Sequence, residues 1–148
     1  VGEEKGRGYA ISNFVNAGQG ATGDRDGFSA FAFPSNLGNN PIEVIETEAP
    51  LLVRHRRLRR GSGGRGRHRG GDGISFAFDF QGEKPASCSV LMTRRIESPH
   101  GGAGGEAGKP AVLSLNGKTI APTDLKQLAK GDQLLIETAG GGGYGPAE

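Results

Sequence analysis

The densest set of reactive side chains is RHRRLRRGSGGRGRHRGG, which places eight arginines between Arg54 and Arg69. Guanidinium groups neutralise phosphates, and glycines let a backbone follow them, so the tract has two of the three elements of an RNA-binding segment. The third is missing: no Phe, Tyr or Trp interleaves the arginines to stack on bases. Nucleic-acid binding is therefore not the expected role. A strand and wide hairpin, whose arginines pair with acidic groups at a subunit or domain contact, fits better. A second basic pair, Arg94 and Arg95, could hold a carboxylate or phosphate through paired donors.

The run GGGGYG offers clustered amide donors of the kind that cradle anions. No Lys-Ser/Thr pair and no long helix follows it, so a Walker-type loop is unsupported. The expected alternative is a flexible carboxy-terminal segment that docks on a neighbouring surface through Tyr144. His55, His68 and His100 are too far apart, and too poorly matched with Cys or acidic neighbours, to make a metal motif. No metal site is expected. Cys88 lies in an apolar alternating run and reads as a small core residue, with no nucleophile-and-base pattern around it. Asn36, Asn39 and Asn40 read as turn residues, with orientation of a substrate amide as the functional alternative.

These groups need positioning elements, and the pattern supplies mostly strands. Residues 9 to 33 read as a strand, a glycine-rich loop containing Asp24 and Asp26, and a second short strand. Turn chemistry follows at Pro34, Asn36, Gly38, Asn39 and Asn40. The run IEVIE is too short for its period to separate helix from strand. LLVRHRRLRR reads as a partly exposed strand, and GISFAFDF alternates as a half-buried one with Ile74, Phe76, Phe78 and Phe80 inward. SCSVLMTRR predicts a further strand, AVLSLNGKTI a hairpin turning at Asn116 and Gly117, and QLLIET the last strand. APTDLKQLAKGD carries the best helix signal, from Thr123 to Gly131.

The composition agrees with a turn-rich chain. Of 148 residues, 28 are Gly and 8 are Pro, and the hydrophobic fraction is 34%. The expected fold class is mainly β: a sandwich or barrel-like body of short strands with long Gly-rich loops and at most one or two short helical turns. The length suits a single module over residues 1–148. No apolar stretch approaches the roughly 18 residues of a membrane span. One cysteine leaves no internal disulfide, pointing to a reducing, cytoplasmic setting. No signal peptide and no initiator Met are visible, so the chain is expected to be part of a longer polypeptide.

Four blocks occur in order: FPSNLGNNPIEVIE, LRRGSGGRGRHRGGDG, MTRRIESPHGGAGGEAGKP and KGDQLLIETAGGGGYG. Together they resemble the carboxy-terminal portion of hydantoinase B/oxoprolinase polypeptides, over nearly the whole chain. The resemblance implies an ATP-dependent assembly that opens cyclic amides, as N-methylhydantoinases and 5-oxoprolinases do, or carboxylates acetone or acetophenone. It implies that ATP and Mg belong to a partner hydantoinase A-type subunit and that this chain binds no cofactor itself. The amino-terminal part of the B-type polypeptide would be the other partner, in a hetero-oligomer, and would carry most catalytic groups. Carried over by position, Asn36, Asn40, Pro41 and Glu43 match an Asn-x-x-Asn-x-Pro-x-Glu style block. Ser62, Gly63, Gly64, Arg69, Gly70 and Gly71 match the Ser-Gly-Gly and Arg-Gly-Gly blocks, and Arg94 and Arg95 the paired basic residues. The substrate or interface candidates are thus Asn36, Asn40, Glu43, Arg69, Arg94, Arg95 and Tyr144. Departures at Ser98, Pro99, His100 and Ala139 leave the subfamily open.

Overall fold

The alternating run from Ile74 to Phe80 forms the spine of the molecule. In the computed structural model, which describes residues 1–33 and 35–147, that run is a strand flanked on both sides by the two strands expected from LLVRHRRLRR and QLLIET, each slightly shorter than expected. In chain order the elements are β1 (Gly2–Glu4), β2 (Arg7–Tyr9), α1 (Ile42–Glu48), β3 (Leu51–Leu58), β4 (Ile74–Phe80) and β5 (Ala86–Ser87). They continue as β6 (Val112–Leu115), β7 (Lys118–Thr119), a 3-10 turn (Pro122–Asp124), β8 (Gln127–Leu128) and β9 (Gln133–Glu137). The main sheet has five strands in the order β3-β4-β9-β6-β7, every neighbouring pair antiparallel.

The β6–β7 hairpin turns where expected. Asn116 and Gly117 both take positive φ, 51° and 77°, as a two-residue hairpin loop matching the strand twist requires. The residues IEVIE, ambiguous in sequence, form helix α1. Ile42, Ile45 and Ala49 recur at helical spacing, and Ile45 is 1% exposed against the core. Pro41 opens the helix, Glu43 sits in its first turn, and Pro50 follows its extended end at Ala49. The core gathers Ile45, Phe76, Phe78, Phe80, Leu113 and Leu134 with Ala86 and Leu128 from the small strands and Leu125 from the end of the 3-10 turn.

The expected mainly-β sandwich or barrel is not what forms. The structure is mixed: a full helix packs beside three separate sheets, of two, five and two strands, and none is closed into a barrel. Two physical causes account for the difference. The Ile42/Ile45/Ala49 spacing supports a helical face, and the glycine-rich stretches are not loops between short strands but a body of their own.

That body is built around residues 139–144. Ala139 accepts a hydrogen bond from Gly18 N–H (2.9 Å) and Gly142 one from Ala21 N–H (2.8 Å). Gly140 donates to the carbonyl of Lys109 (3.1 Å), and Gly143 donates to Glu106 (2.9 Å) and accepts from Gly102 (2.8 Å). Gly141 accepts from Gly64 (2.8 Å) and donates to Gly71 (2.9 Å), while Tyr144 exchanges bonds with His68. Bonding direction thus repeats every third residue, toward segments 18–21, 102–109 and 64–71 in turn. This is the three-residue turn of the polyproline II conformation, with its donors and acceptors directed to neighbouring chains. Such packing requires glycine: a methyl on Gly141, Gly142 or Gly143 would overlap the carbonyl of Gln19, His100 or Arg65. The GGGGYG run is therefore the buried centre of the body, not a flexible docking tail.

Four smaller expectations also change. Of the two strands expected in residues 9–33, only Tyr9 lies in a strand, at the end of β2, and the rest contributes an isolated bridge between Ala17 and Phe31. β4 is buried on both faces, because Asp79 and Ser75 are capped by polar partners. APTDLKQLAKGD yields only the 3-10 turn and the short strand β8. Of SCSVLMTRR, only Ser87 at its start joins a ladder. Pro34, expected in a turn, lies outside the described residues.

Candidate functional site

The arginine tract runs out along β3 and back through the glycine body, and its charges are spent in three different ways. Arg54, on β3, binds Asp79 of β4 through Nε (2.7 Å) and Nη2. Its guanidinium, by hydrogen bond and charge, holds the Asp79 carboxyl below the usual range against the opposing effect of burial. Arg59 is nearly buried: it donates to the carbonyls of Pro110 (2.7 Å) and Thr138 (3.3 Å) and pairs with Glu137 (2.9 Å). Arg69 grips both oxygens of Asp72 at 2.8 and 2.9 Å.

Asp72 is the organising carboxylate of this region. Its Oδ1 also accepts the amides of Ser62 (3.0 Å) and Gly63 (2.9 Å), and the Ser62 hydroxyl accepts the Gly73 amide (2.9 Å). Burial opposes its ionisation, but the Gly63 amide and the Arg69 charge outweigh that and set its pKa below the ordinary carboxylate value. Thr138 ties the same corner to the sheet, its hydroxyl accepting from Ile74 N–H (2.7 Å) and donating to the Asn16 carbonyl (2.8 Å).

The sequence-derived candidates fall into three separate places. Asn36 sits in a turn with φ 50°, Asn40 donates to the Ser12 carbonyl (3.2 Å) and accepts Arg56 at its own carbonyl (2.6 Å), and Glu43 is exposed on α1. Arg69 and Tyr144 belong to the glycine body. Arg94 and Arg95 line an open groove of about 920 Å³ with Met92, Glu97 and Thr123. Arg95 donates to the Ile120 carbonyl (3.3 Å), and Arg94 takes φ 56° while its carbonyl accepts the Ala111 amide (2.8 Å). Both residues thus line the same groove, and of the pair only the Arg95 side chain is tied to a main-chain carbonyl among the described residues.

Asp72, Arg59 and Thr138 were not singled out in the sequence as functional. The only signal for Asp72 was its place at the end of Arg-Gly-Gly-Asp-Gly, where the acid closes a turn on the preceding Ser-Gly-Gly. Among the described residues no three His, Cys, Asp or Glu side chains gather as metal ligands. No helix there is long and apolar enough to cross a membrane.

The chain belongs to the hydantoinase B/oxoprolinase family, whose model matches residues 1–147. It is 33% identical to the 5-oxoprolinase PfmaA of Pestalotiopsis fici over 95% of this chain and 12% of that protein. It is 34% identical to the 5-oxoprolinase of Dictyostelium discoideum over 88% of this chain and 11% of the relative. The chain therefore spans a small fraction of the curated relatives it matches. Its fold is similar to part of the ATP-dependent caprolactamase from Pseudomonas jessenii, with TM-score 0.70, 24% identity, and coverage of 89% of this chain and 24% of that one. It is also similar to part of acetone carboxylase, with TM-score 0.61, 18% identity, and coverage of 87% and 22%. The family is associated with enzymes, 5-oxoprolinases among them.

Proposed function

We propose that this chain is a single module of a longer hydantoinase B-type polypeptide, working in an ATP-dependent cyclic-amide hydrolase of the N-methylhydantoinase or 5-oxoprolinase kind. The observation that carries the reading is the family match through residues 1–147, joined to similarity with 5-oxoprolinases over most of the chain. Its part in the reaction is substrate enclosure and assembly. The Arg94–Arg95 groove supports the enclosure part of this reading, and the closely packed, main-chain-bonded glycine body supports the assembly part. ATP and Mg belong to an A-type partner, in a cytoplasmic hetero-oligomer.

A related ketone carboxylase of the acetone or acetophenone type is the second reading, favoured by the fold similarity to acetone carboxylase. The test is turnover by the complete B-type polypeptide with its A-type partner. ATP-dependent opening of 5-oxoproline or a hydantoin supports the first reading, and ATP- and bicarbonate-dependent consumption of a ketone supports the second. The 148-residue chain alone is expected to do neither. Turnover by it alone would overturn both.

A further inference from the structure

Two extended segments cross the apolar face of the main sheet without ladder partners. Residues 10–16 continue β2, and residues 88–93 continue β5. Both alternate as strands do. In the first, Ile11 and Val15 pack on the core while Ser12 and Phe14 are exposed. In the second, Cys88, Val90 and Met92 pack inward, and Leu91 is 101% exposed. A cleft of about 750 Å³ lies between them, floored by Phe76, Phe78, Leu134 and Ile136. Among the described residues, the main-chain groups of Ile11, Asn13, Ser89 and Leu91 make no hydrogen bond.

β1 determines what fits there. It lies between β2 and β5: Gly2 is paired with Tyr9, and Val1 exchanges two 2.8 Å hydrogen bonds with Ser87. β1 runs opposite to both neighbours, so its backward extension from Val1 passes through the cleft. Continuing the register places the residue before Val1 opposite Ile11 on one side and Cys88 on the other. Both of those side chains face the core, so the two flanks agree in parity. Main-chain directions agree as well. The Ser12 carbonyl turns away from the cleft to Asn40 (3.2 Å) and the Cys88 amide to Lys126 (2.9 Å). Because those groups alternate along a strand, Ile11, Asn13, Ser89 and Leu91 present theirs to the cleft.

We propose that the cleft is the seat of a β-strand of the same longer polypeptide, entering β1 from its amino-terminal side. It hydrogen-bonds to residues 10–16 and 88–93 and directs alternate apolar side chains onto Phe76 and Leu134. The proposal rests on the reading that this chain is part of a longer B-type polypeptide. The 12% share of the PfmaA oxoprolinase that it spans leaves ample chain to supply the strand.

The test uses the complete B-type polypeptide. Val1 and Ser87 form a hydrogen-bonded pair, so the preceding position and Cys88 form the closer, non-hydrogen-bonded kind, within disulfide reach. A cysteine at that preceding position should link to Cys88 within one molecule on mild oxidation, and Cys88→Ser should abolish the link. The amides of Ile11, Asn13, Ser89 and Leu91 should exchange roughly a hundredfold more slowly than exposed loop amides. Unprotected amides without the link, a link only between two molecules, or a mature polypeptide that starts at Val1 would each overturn the strand. Turnover with the A-type partner is scored separately. An active complex with an unseated strand sinks this proposal alone, and a seated strand in an inactive complex sinks the functional reading alone.

Discussion

His68 and Tyr144 exchange a reciprocal pair of main-chain hydrogen bonds, 2.9 Å from the His68 amide to the Tyr144 carbonyl and 2.8 Å in return. That pair fixes the outer end of the glycine body, and the Tyr144 ring lies against Gly102 and Gly23, where no side chain competes for the space. The ring fills space that these glycines leave open at that end of the body. Tyr144→Ala should therefore lower stability by about 2 kcal/mol, as expected for a half-buried aromatic. Tyr144→Phe should be nearly neutral, because the hydroxyl has no hydrogen-bond partner among the described residues. Urea midpoints of the two variants check this, and equal loss in both would show that the hydroxyl matters more than the ring.

Gly141 and Gly38 make a sharper contrast. A methyl on Gly141 would overlap the Gln19 carbonyl, while nothing lies within 4 Å of one on Gly38. The Gly141 neighbours are backbone and cannot swing aside as a side chain does. Gly141→Ala should destabilise by at least about 3 kcal/mol, and Gly38→Ala should change stability by less than about 1 kcal/mol. Thermal unfolding of both variants measures the difference. A tolerated Gly141→Ala would mean that the three-residue bonding pattern does not govern packing at the centre of the body.

Asp72 links the same body to acid stability. Its folded pKa is depressed, so it contributes stability that is complete above the unfolded carboxylate value of about 3.9 and is lost as pH falls through the lower folded value. Unfolding followed from pH 6 to pH 2 should show stability falling with acid. Asp72→Asn should remove part of that slope and should cost about 2–3 kcal/mol at neutral pH, since the Arg69, Ser62 and Gly63 donors lose a charged acceptor. A variant with the unchanged acid slope would place the titrating group elsewhere.

Strands were legible in sequence where a two-residue period or a turn pair spoke for itself. Phe76, Phe78 and Phe80 announced β4, and Asn116-Gly117 announced the β6–β7 hairpin. What hid was non-local. Ser75 and Asp79 looked solvent-facing along β4, and only the positions of His55 and Arg54 on β3 show how their polarity is satisfied in burial. Ile42, Ile45 and Ala49 gave too few turns to fix a helix period until the sheet supplied a surface. The glycine body was the largest gap, because a glycine run reads locally as flexibility, while its order comes from three other segments far away in the chain. For the site, the arginines were visible, but their division into Asp79, Glu137 and Asp72 pairs was not. Equally, nothing in the order of the blocks indicated that Asn40, Arg69 and Arg94 stand in separate places.

The Arg94–Arg95 groove separates a substrate-facing role from an assembly role. Both side chains line it, yet Arg95 is already committed in part to the Ile120 carbonyl, whereas Arg94 makes no side-chain hydrogen bond among the described residues. If the groove holds a carboxylate or phosphate during turnover, the double variant Arg94→Gln/Arg95→Gln should lose activity by roughly 10²-fold while the complex elutes at its native size. Arg94→Lys alone should restore part of the loss by keeping the charge but not the two-pronged geometry. If the groove instead seats a neighbouring subunit, the double variant should dissociate, and activity should return when protein concentration is raised. Turnover and size-exclusion profiles recorded on the same samples decide between them. An unchanged rate in an unchanged complex would remove both arginines from the working parts of the enzyme.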